Sequence, residues 1–319
     1  MSTPILNGPR WAFARLHRTT LWGAAAVLVL GAAITGFLRW AAWAYPEQEC
    51  RQGPCDTFLG FSSADDLLYM SMGHASTGLL LVPLLIGAFV AGPLVGRELE
   101  TGLHQLAWTQ SVSPARWLAS KLTTAAALAV TATLVLMALF RFGSANLLDA
   151  RGGMLWSDRG VYEATGPVLV AYALLAVAVG AVVGLLVRRT LLALSVSGLL
   201  TGAVLWIAGS VRWDYFPTRT ATGTSPQGDW WVGVMPADTF VVGRGVTNAA
   251  GERFDQGECS PKPLTGFSCP SDNKITNWYT DYHPKSHFWY VQLIETGIVL
   301  ALTAAAVYAA FRLLRRRTA

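Results

Sequence analysis

The residues able to do chemistry are few and unevenly placed. Glu295 falls about two helical turns into an apolar run that starts at Phe288. An acid there must pair, hydrate or serve a function, which makes it a candidate for gating, pairing or substrate contact. Arg39, Arg141 and His74, at or near the ends of other apolar runs, are the partners we expect for it. His283 and His287 are separated by three residues, but Pro284 between them argues against a helical metal pair, and His74 reads as a satisfied polar group. We therefore expect no metal centre. Asp281 beside His283 leaves open an acid–base site, and with it an enzymatic alternative. Cys50, Cys55, Cys259 and Cys269 admit three pairings, of which local Cys50–Cys55 and Cys259–Cys269 bridges are the simplest.

These residues need elements to hold them, and composition says which kind. The chain has 319 residues, 53% of them hydrophobic and only 13% charged. An average soluble domain carries roughly 25% charged residues. A mean hydropathy of +0.40 leaves too little polar surface for a water-soluble globule. Disorder requires the opposite balance. The basic excess lies beside apolar runs, so it points to a membrane and away from nucleic acid.

A bilayer core needs about 20 mostly apolar residues per helix. Six runs qualify: Leu21–Ala42, Ser71–Val95, Leu118–Phe140, Pro167–Val187, Leu191–Gly209 and Phe288–Phe311. The fourth and fifth are separated only by Arg188, Arg189 and Thr190, which predicts a tight helical hairpin. The first is too long for a signal peptide and lacks a small-residue cleavage site. The expected fold is an all-α polytopic membrane protein of six transmembrane helices.

The charge distribution orients it. The N-terminus, the Arg97–Lys121 region, the Arg188-Arg189 turn and the C-terminus together hold 12 of the 24 Lys and Arg but only 2 of the 19 acids. The positive-inside rule then places both termini in the cytoplasm. All four cysteines fall on the opposite, oxidising side. There residues 211–287, rich in proline, glycine and tryptophan, predict a small disulfide-stapled cap of short strands and turns between helices five and six. The domains expected are a cytoplasmic interfacial helix within 1–20, transmembrane helices one to five over 21–210, the cap over 211–287, and helix six with a basic tail over 288–319. Gly92-x3-Gly96, Gly180-x3-Gly184 and Gly198-x3-Gly202 are spaced for close helix contact.

The segment 96–117 is the most informative. Leu99, Leu103, Leu106, Ala107 and Gln110 share one helical face, while Glu98, Glu100, Thr101 and His104 point elsewhere. Ser113 then caps a new helix with Pro114 at its first position. Glu98 and Glu100 are the two acids of this side. A connector between spans needs only a few residues; this one presents a mixed-charge surface suited to docking.

Arg97-Glu98, Thr101-Gly102, Leu103 to Leu106, Thr109 to Ser113 and Arg116-Trp117-Leu118 resemble the cytoplasmic coupling segment of type-2 ABC transporter permeases. Gly92-Pro93, Arg188-Arg189-Thr190 and Phe288-Trp289 through Glu295-Thr296 are similar to permeases common in actinobacteria. The likeness spans the six helices and omits residues 211–287. It implies an ATP-driven exporter of the bacterial plasma membrane and says nothing of the substrate; the spans, which offer aromatics and almost no charge, suggest an amphiphilic one such as a drug, natural product, lipid or peptide. The partners implied are a separate cytosolic ATPase and a second permease copy, homodimeric or heterodimeric. Arg97, Glu98, Leu99, Glu100, Thr101, Gly102, Leu103 and Leu106 would transmit the force. No Gly-x4-Gly-Lys-Ser/Thr motif occurs, so ATP and Mg would be bound by the partner and no cofactor by this chain. The alternatives are a membrane enzyme with an outer active site and a ligand-sensing subunit.

Overall fold

The computed structural model describes residues 18–45, 63–102, 113–148, 153–224, 238–255, 257, 260–262, 266–268 and 275–318. Six helices, or helix pairs running on from one another, are long and apolar enough to cross a membrane. The first is α1 (Arg18–Ala44). The second begins as α2 (Ala64–Leu85), widens into a π-helical turn at Ile86–Ala91, and ends as α3 (Gly92–Glu100). The third is α4 (Pro114–Ser144). A short α5 (Val161–Thr165) precedes the hairpin of α6 (Val168–Val187) and α7 (Thr190–Val211). The last is α8 (Phe288–Thr318).

The six expected runs all appear, several of them lengthened. α2 starts seven residues earlier than Ser71, because Ser63 accepts a hydrogen bond from the Asp66 amide at 3.0 Å and Asp65 and Asp66 occupy the positive first turn. Pro83 lies two residues before the end of α2. Proline withholds one ladder hydrogen bond, and the wider π-turn follows directly.

α6 is the hub. Fourteen of its 20 residues are buried, so it carries no polar stripe. Its glycines let the π-turn and α3 approach: a Cβ on Gly180 would lie 2.3 Å from the Ala91 Cβ, and one on Gly184 would lie 3.0 Å from the Gly96 amide nitrogen. From the other side, a Cβ on Gly92 would meet the Ala193 carbonyl of α7 at 2.9 Å. The three glycine pairs thus serve packing within the chain. Arg188, at φ 53° in the left-handed region, terminates α6, and α7 begins two residues later. The predicted hairpin is therefore present.

Between α7 and α8 the chain makes a sheet. Strands β1 (Arg219–Thr224), β2 (Phe240–Asn248), β3 (Arg253–Asp255) and β6 (Ile275–His283) form an antiparallel sheet in the order β1-β6-β2-β3. β4 (Ser260–Lys262) and β5 (Gly266–Ser268) pair as a separate ribbon. The helical bundle thus carries a β cap, and its two central strands are nine residues each, longer than proline and glycine content suggested. Trp278, Tyr279 and Tyr282, with the β-branched residues between, favour the extended chain locally. Val246, Phe254 and Trp278 are buried. Tyr279 donates to Asp255 at 2.7 Å; burial first, and then that bond, pushes its phenol up to about 12. Cys50, Cys55, Cys259 and Cys269 lie outside the described residues, as does the expected interfacial helix before Arg18.

Candidate functional site

Two constellations occupy opposite ends of the bundle. At the sheet end Glu295 is fully buried on α8, and its partner is Arg212. The guanidinium donates from Nε to Glu295 Oε2 at 2.7 Å and from Nη2 to Oε1 at 2.9 Å, a bidentate pair. Nη2 also reaches Glu163 Oε1 of α5 at 2.7 Å. The remaining acceptor positions are filled as well. Tyr172 of α6 donates to Glu295 Oε1 at 2.6 Å, Tyr162 of α5 donates to Oε2 at 3.1 Å, and Glu163 Oε2 accepts the Gly160 amide at 2.7 Å. The Arg212 guanidinium also lies 4.0 Å from the Tyr162 ring centroid. Burial, and then the Glu295 carboxylate, pushes the Tyr162 phenol up, so it stays a donor. α5, α6, α8 and the residue that follows α7 therefore meet in one ion cluster.

The expected partners are elsewhere. Arg141 donates to the Thr165 carbonyl at the end of α5, Arg39 sits 5.8 Å from the Phe142 ring, and exposed His74 bonds the Met70 carbonyl of its own helix at 2.7 Å. None of them meets Glu295. The sequence pattern groups Arg212 with the cap because it follows an apolar run, but two buried acids tie it to the bundle. Glu163 and α5 were hidden in a loop of ordinary composition. The signal available was Gly160 followed three residues later by Glu163, a capping arrangement that the structure contains. Gln292, three residues before Glu295 and so on the same face, was a second. It is fully buried, donates to the Tyr162 carbonyl at 2.7 Å and accepts the Val168 amide at 3.3 Å, holding the break between α5 and α6.

His283 and His287 lie just beyond. Their Nδ1 atoms are 3.0 Å apart, and His283 Nε2 lies 3.0 Å from the Trp213 carbonyl. A carbonyl only accepts, so Nε2 carries the His283 proton and His287 donates to His283 Nδ1. Asp281 is turned away: it accepts from Thr220 and pairs with Arg253 at 3.0 Å. The acid–base pair considered from sequence is therefore not assembled. Among the described residues no group of three or more metal-ligating side chains occurs.

At the opposite, basic end, α3 is wired to its neighbours by its two acids. Glu98 accepts the Trp117 indole of α4 at 3.0 Å and pairs with Lys121, one turn further along. It is not spent on Arg97, which is exposed. Glu100 accepts both the amide, at 2.8 Å, and the hydroxyl of Thr190, the first residue of α7. It thus satisfies an amide that a helix start leaves open. Arg317 of α8 donates to the Leu185 carbonyl at the end of α6, closing the same end from the far side.

The helix stops at Glu100. Thr101 bonds back to the Arg97 carbonyl by its amide at 3.0 Å and its hydroxyl at 2.9 Å, and Gly102 takes φ +74°. The α3 helix therefore ends before Leu103, with Gly102 in the left-handed conformation typical of a helix terminator. Leu99 packs against the core near Val95, Trp117 and Leu118. Leu103 and Leu106 lie outside the described residues.

No curated protein and no solved structure matches the chain. The family described as ABC-2 membrane transporter related matches residues 19–212, which include all of α1 to α7 except Arg18, and both acids of α3. With six apolar helices it makes the chain a multi-pass membrane protein and a membrane transport subunit. The chain belongs to the ABC-2 membrane transporter related family.

Proposed function

We propose that the chain is the permease of an ATP-driven exporter, docking a cytosolic ATPase through residues 97–106 and carrying an amphiphilic substrate by alternating access. Both termini are cytoplasmic in this reading, and the membrane is a bacterial plasma membrane. ATP and Mg are bound by the partner. A second permease copy completes the pathway.

The observation that carries it is the pair of acids on α3. Glu98 holds α4, and Glu100 holds the α6–α7 hairpin through Thr190. A push on the segment after Gly102 therefore reaches three spans at once through polar bonds at the membrane surface. A passive connector has no need of such bonds. Arg97 and Thr101 remain exposed beside them, available to a partner surface.

The test is co-purification of the ATPase encoded nearest this gene, together with substrate efflux. Leu103→Asp places a charge in the proposed apolar contact and releases the ATPase. Glu98→Ala keeps the ATPase but lowers efflux per ATP hydrolysed, because docking is intact and the link to α4 is lost. Retention of the ATPase and of wild-type efflux by both variants, each inserted normally, overturns the proposal.

A further inference from the structure

Beside the buried ion cluster, on the outside of the bundle, lies a pocket of about 160 Å³. Ser157, Arg159, Trp206, Gly209, Ser210 and Arg212 line it. Arg212 forms the inner wall, but its single positive charge is outnumbered by the Glu163 and Glu295 carboxylates that pair with it. Arg159 differs. It is exposed, and among the described residues it makes no ion pair. Its guanidinium reaches over Gly209, where an added Cβ would lie 3.9 Å from Nη2. The neighbouring Asp158 does not neutralise it in a direct pair; that carboxylate accepts the Leu155 amide at 2.8 Å and closes a turn. Arg159 therefore gives the pocket one positive, hydrogen-bond-donating group at its rim. Open space over Gly209 exists because that residue has no side chain.

The surface leading into the pocket is apolar and belongs to α7. Leu199, Ala203, Trp206, Ile207 and Ser210 recur at helical spacing and are all exposed, Leu199 at 74% and Trp206 at 66%. The stripe runs from the middle of a transmembrane helix to the pocket at its end. An indole at that level suits the boundary between hydrocarbon and headgroups. A ligand fitting both features has an acyl portion along α7 and an anionic, oxygen-rich group against Arg159. The planar guanidinium fork suits phosphate oxygens.

We propose that this pocket binds a phosphate ester, presented either by a phospholipid headgroup with its chains along α7 or by a soluble ester entering from the aqueous side. Binding here needs no ATPase, so the site stands or falls apart from the transport reading.

Native mass spectrometry of the full-length chain in detergent tests it with three probes: phosphatidylglycerol, glycerol 3-phosphate and diacylglycerol. Phosphatidylglycerol is expected to be retained well above diacylglycerol. Arg159→Gln should weaken that retention about tenfold, the effect of one lost charge-assisted contact, and Arg159→Lys should restore part of it. Gly209→Leu fills the pocket and should weaken retention while Arg159 stays in place. Gel-filtration profiles confirm that each variant is folded, and Arg159, being exposed, can change without unfolding the bundle. Arg159-dependent capture of glycerol 3-phosphate, at strength equal to the lipid, assigns the site to a soluble ester; capture of the lipid alone assigns it to the membrane. Equal retention of phosphatidylglycerol by wild type and Arg159→Gln, or retention of diacylglycerol as strong as that of phosphatidylglycerol, overturns the proposal.

Discussion

Arg212 illustrates how a residue's role depends on what it faces. Burying a guanidinium is costly, and a single carboxylate often only breaks even. Here two carboxylates and an aromatic face surround it, and the tyrosine hydroxyls fill the remaining Glu295 acceptor sites. Its removal leaves two carboxylates buried without their cation. Arg212→Met should therefore destabilise the bundle by about 3–5 kcal/mol, read as a lower thermal midpoint in detergent. Tyr172→Phe removes one hydrogen bond to a charged group and should cost about 1.5–3 kcal/mol. If Arg212→Met melts like wild type, the cluster does not hold these helices together. His283 makes the second argument at this scale. Burial lowers its pKa below the ordinary 6.5, and the Trp213 carbonyl and Asp214 only partly oppose that. The group facing it is His287, with Arg219 near that partner. The folded state thus keeps His283 neutral, so its contribution is fully present above about pH 6.5 and is lost as pH falls through the folded value. Melting of the sheet, followed by tryptophan fluorescence, should become easier below that pH. His283→Gln, which cannot titrate, should flatten the dependence.

At the scale of elements, what was legible in the sequence and what was hidden divide by the range of the interactions. The six spans were readable because each is a continuous apolar run of sufficient length, and the α6–α7 turn because two arginines interrupt one such run. The Ser113 cap was readable because its signal is local, and it stands at 3.3 Å from the Arg116 amide. The partner of Glu295 was not. Arg212 lies 83 positions away, and proximity of that kind is set by which helices pack on α6. The end of α3 at Glu100 was hidden for a local reason: periodicity does not register that Gly102 takes a left-handed conformation, while the rest of the expected face lies outside the described residues. The glycine pairs show the same division, because their spacing announced close contact while the partners, Ala91, Gly96 and Ala193, emerged only in three dimensions. Gly180→Leu places a side chain where the Ala91 Cβ and backbone already stand. Overpacking of this kind costs roughly 1–3 kcal/mol, and backbone atoms at 2.6 Å put this site at the upper end of that range. A Gly202→Ala variant, facing only the flexible end of Leu84 at 3.1 Å, should be nearly neutral. Equal midpoints for the two variants would mean that α3 and the π-turn do not seat on α6 as described.

For the whole molecule the question is which end faces the cytoplasm, because the docking argument depends on it. Glu98 with Lys121, Glu100 with Thr190, and Arg317 with Leu185 show that these positions share one end. Glu163, Arg212 and Glu295 share the other, with the sheet beyond them. Arg97, Arg116, Arg188, Arg189 and Arg312 to Arg317 all lie at or near the first end. A reversed insertion would carry this arginine cluster across the membrane, against the bias that sets topology. Single cysteines can decide the matter with a membrane-impermeant maleimide, with wild-type labelling as the baseline for the native thiols. Ala115 is exposed at the start of α4 and sits at the basic end, so Ala115→Cys should label in inside-out vesicles and remain silent in intact cells. At the sheet end the position must be chosen with care. A Cβ on Gly223 would enter the Trp278 ring at 2.4 Å, whereas the neighbouring Thr222 is exposed. Thr222→Cys should label in intact cells only. The opposite result for both positions would put the Glu98 and Glu100 contacts outside, where no cytosolic ATPase could reach the segment they wire, and the transport mechanism proposed for this chain would fail with them.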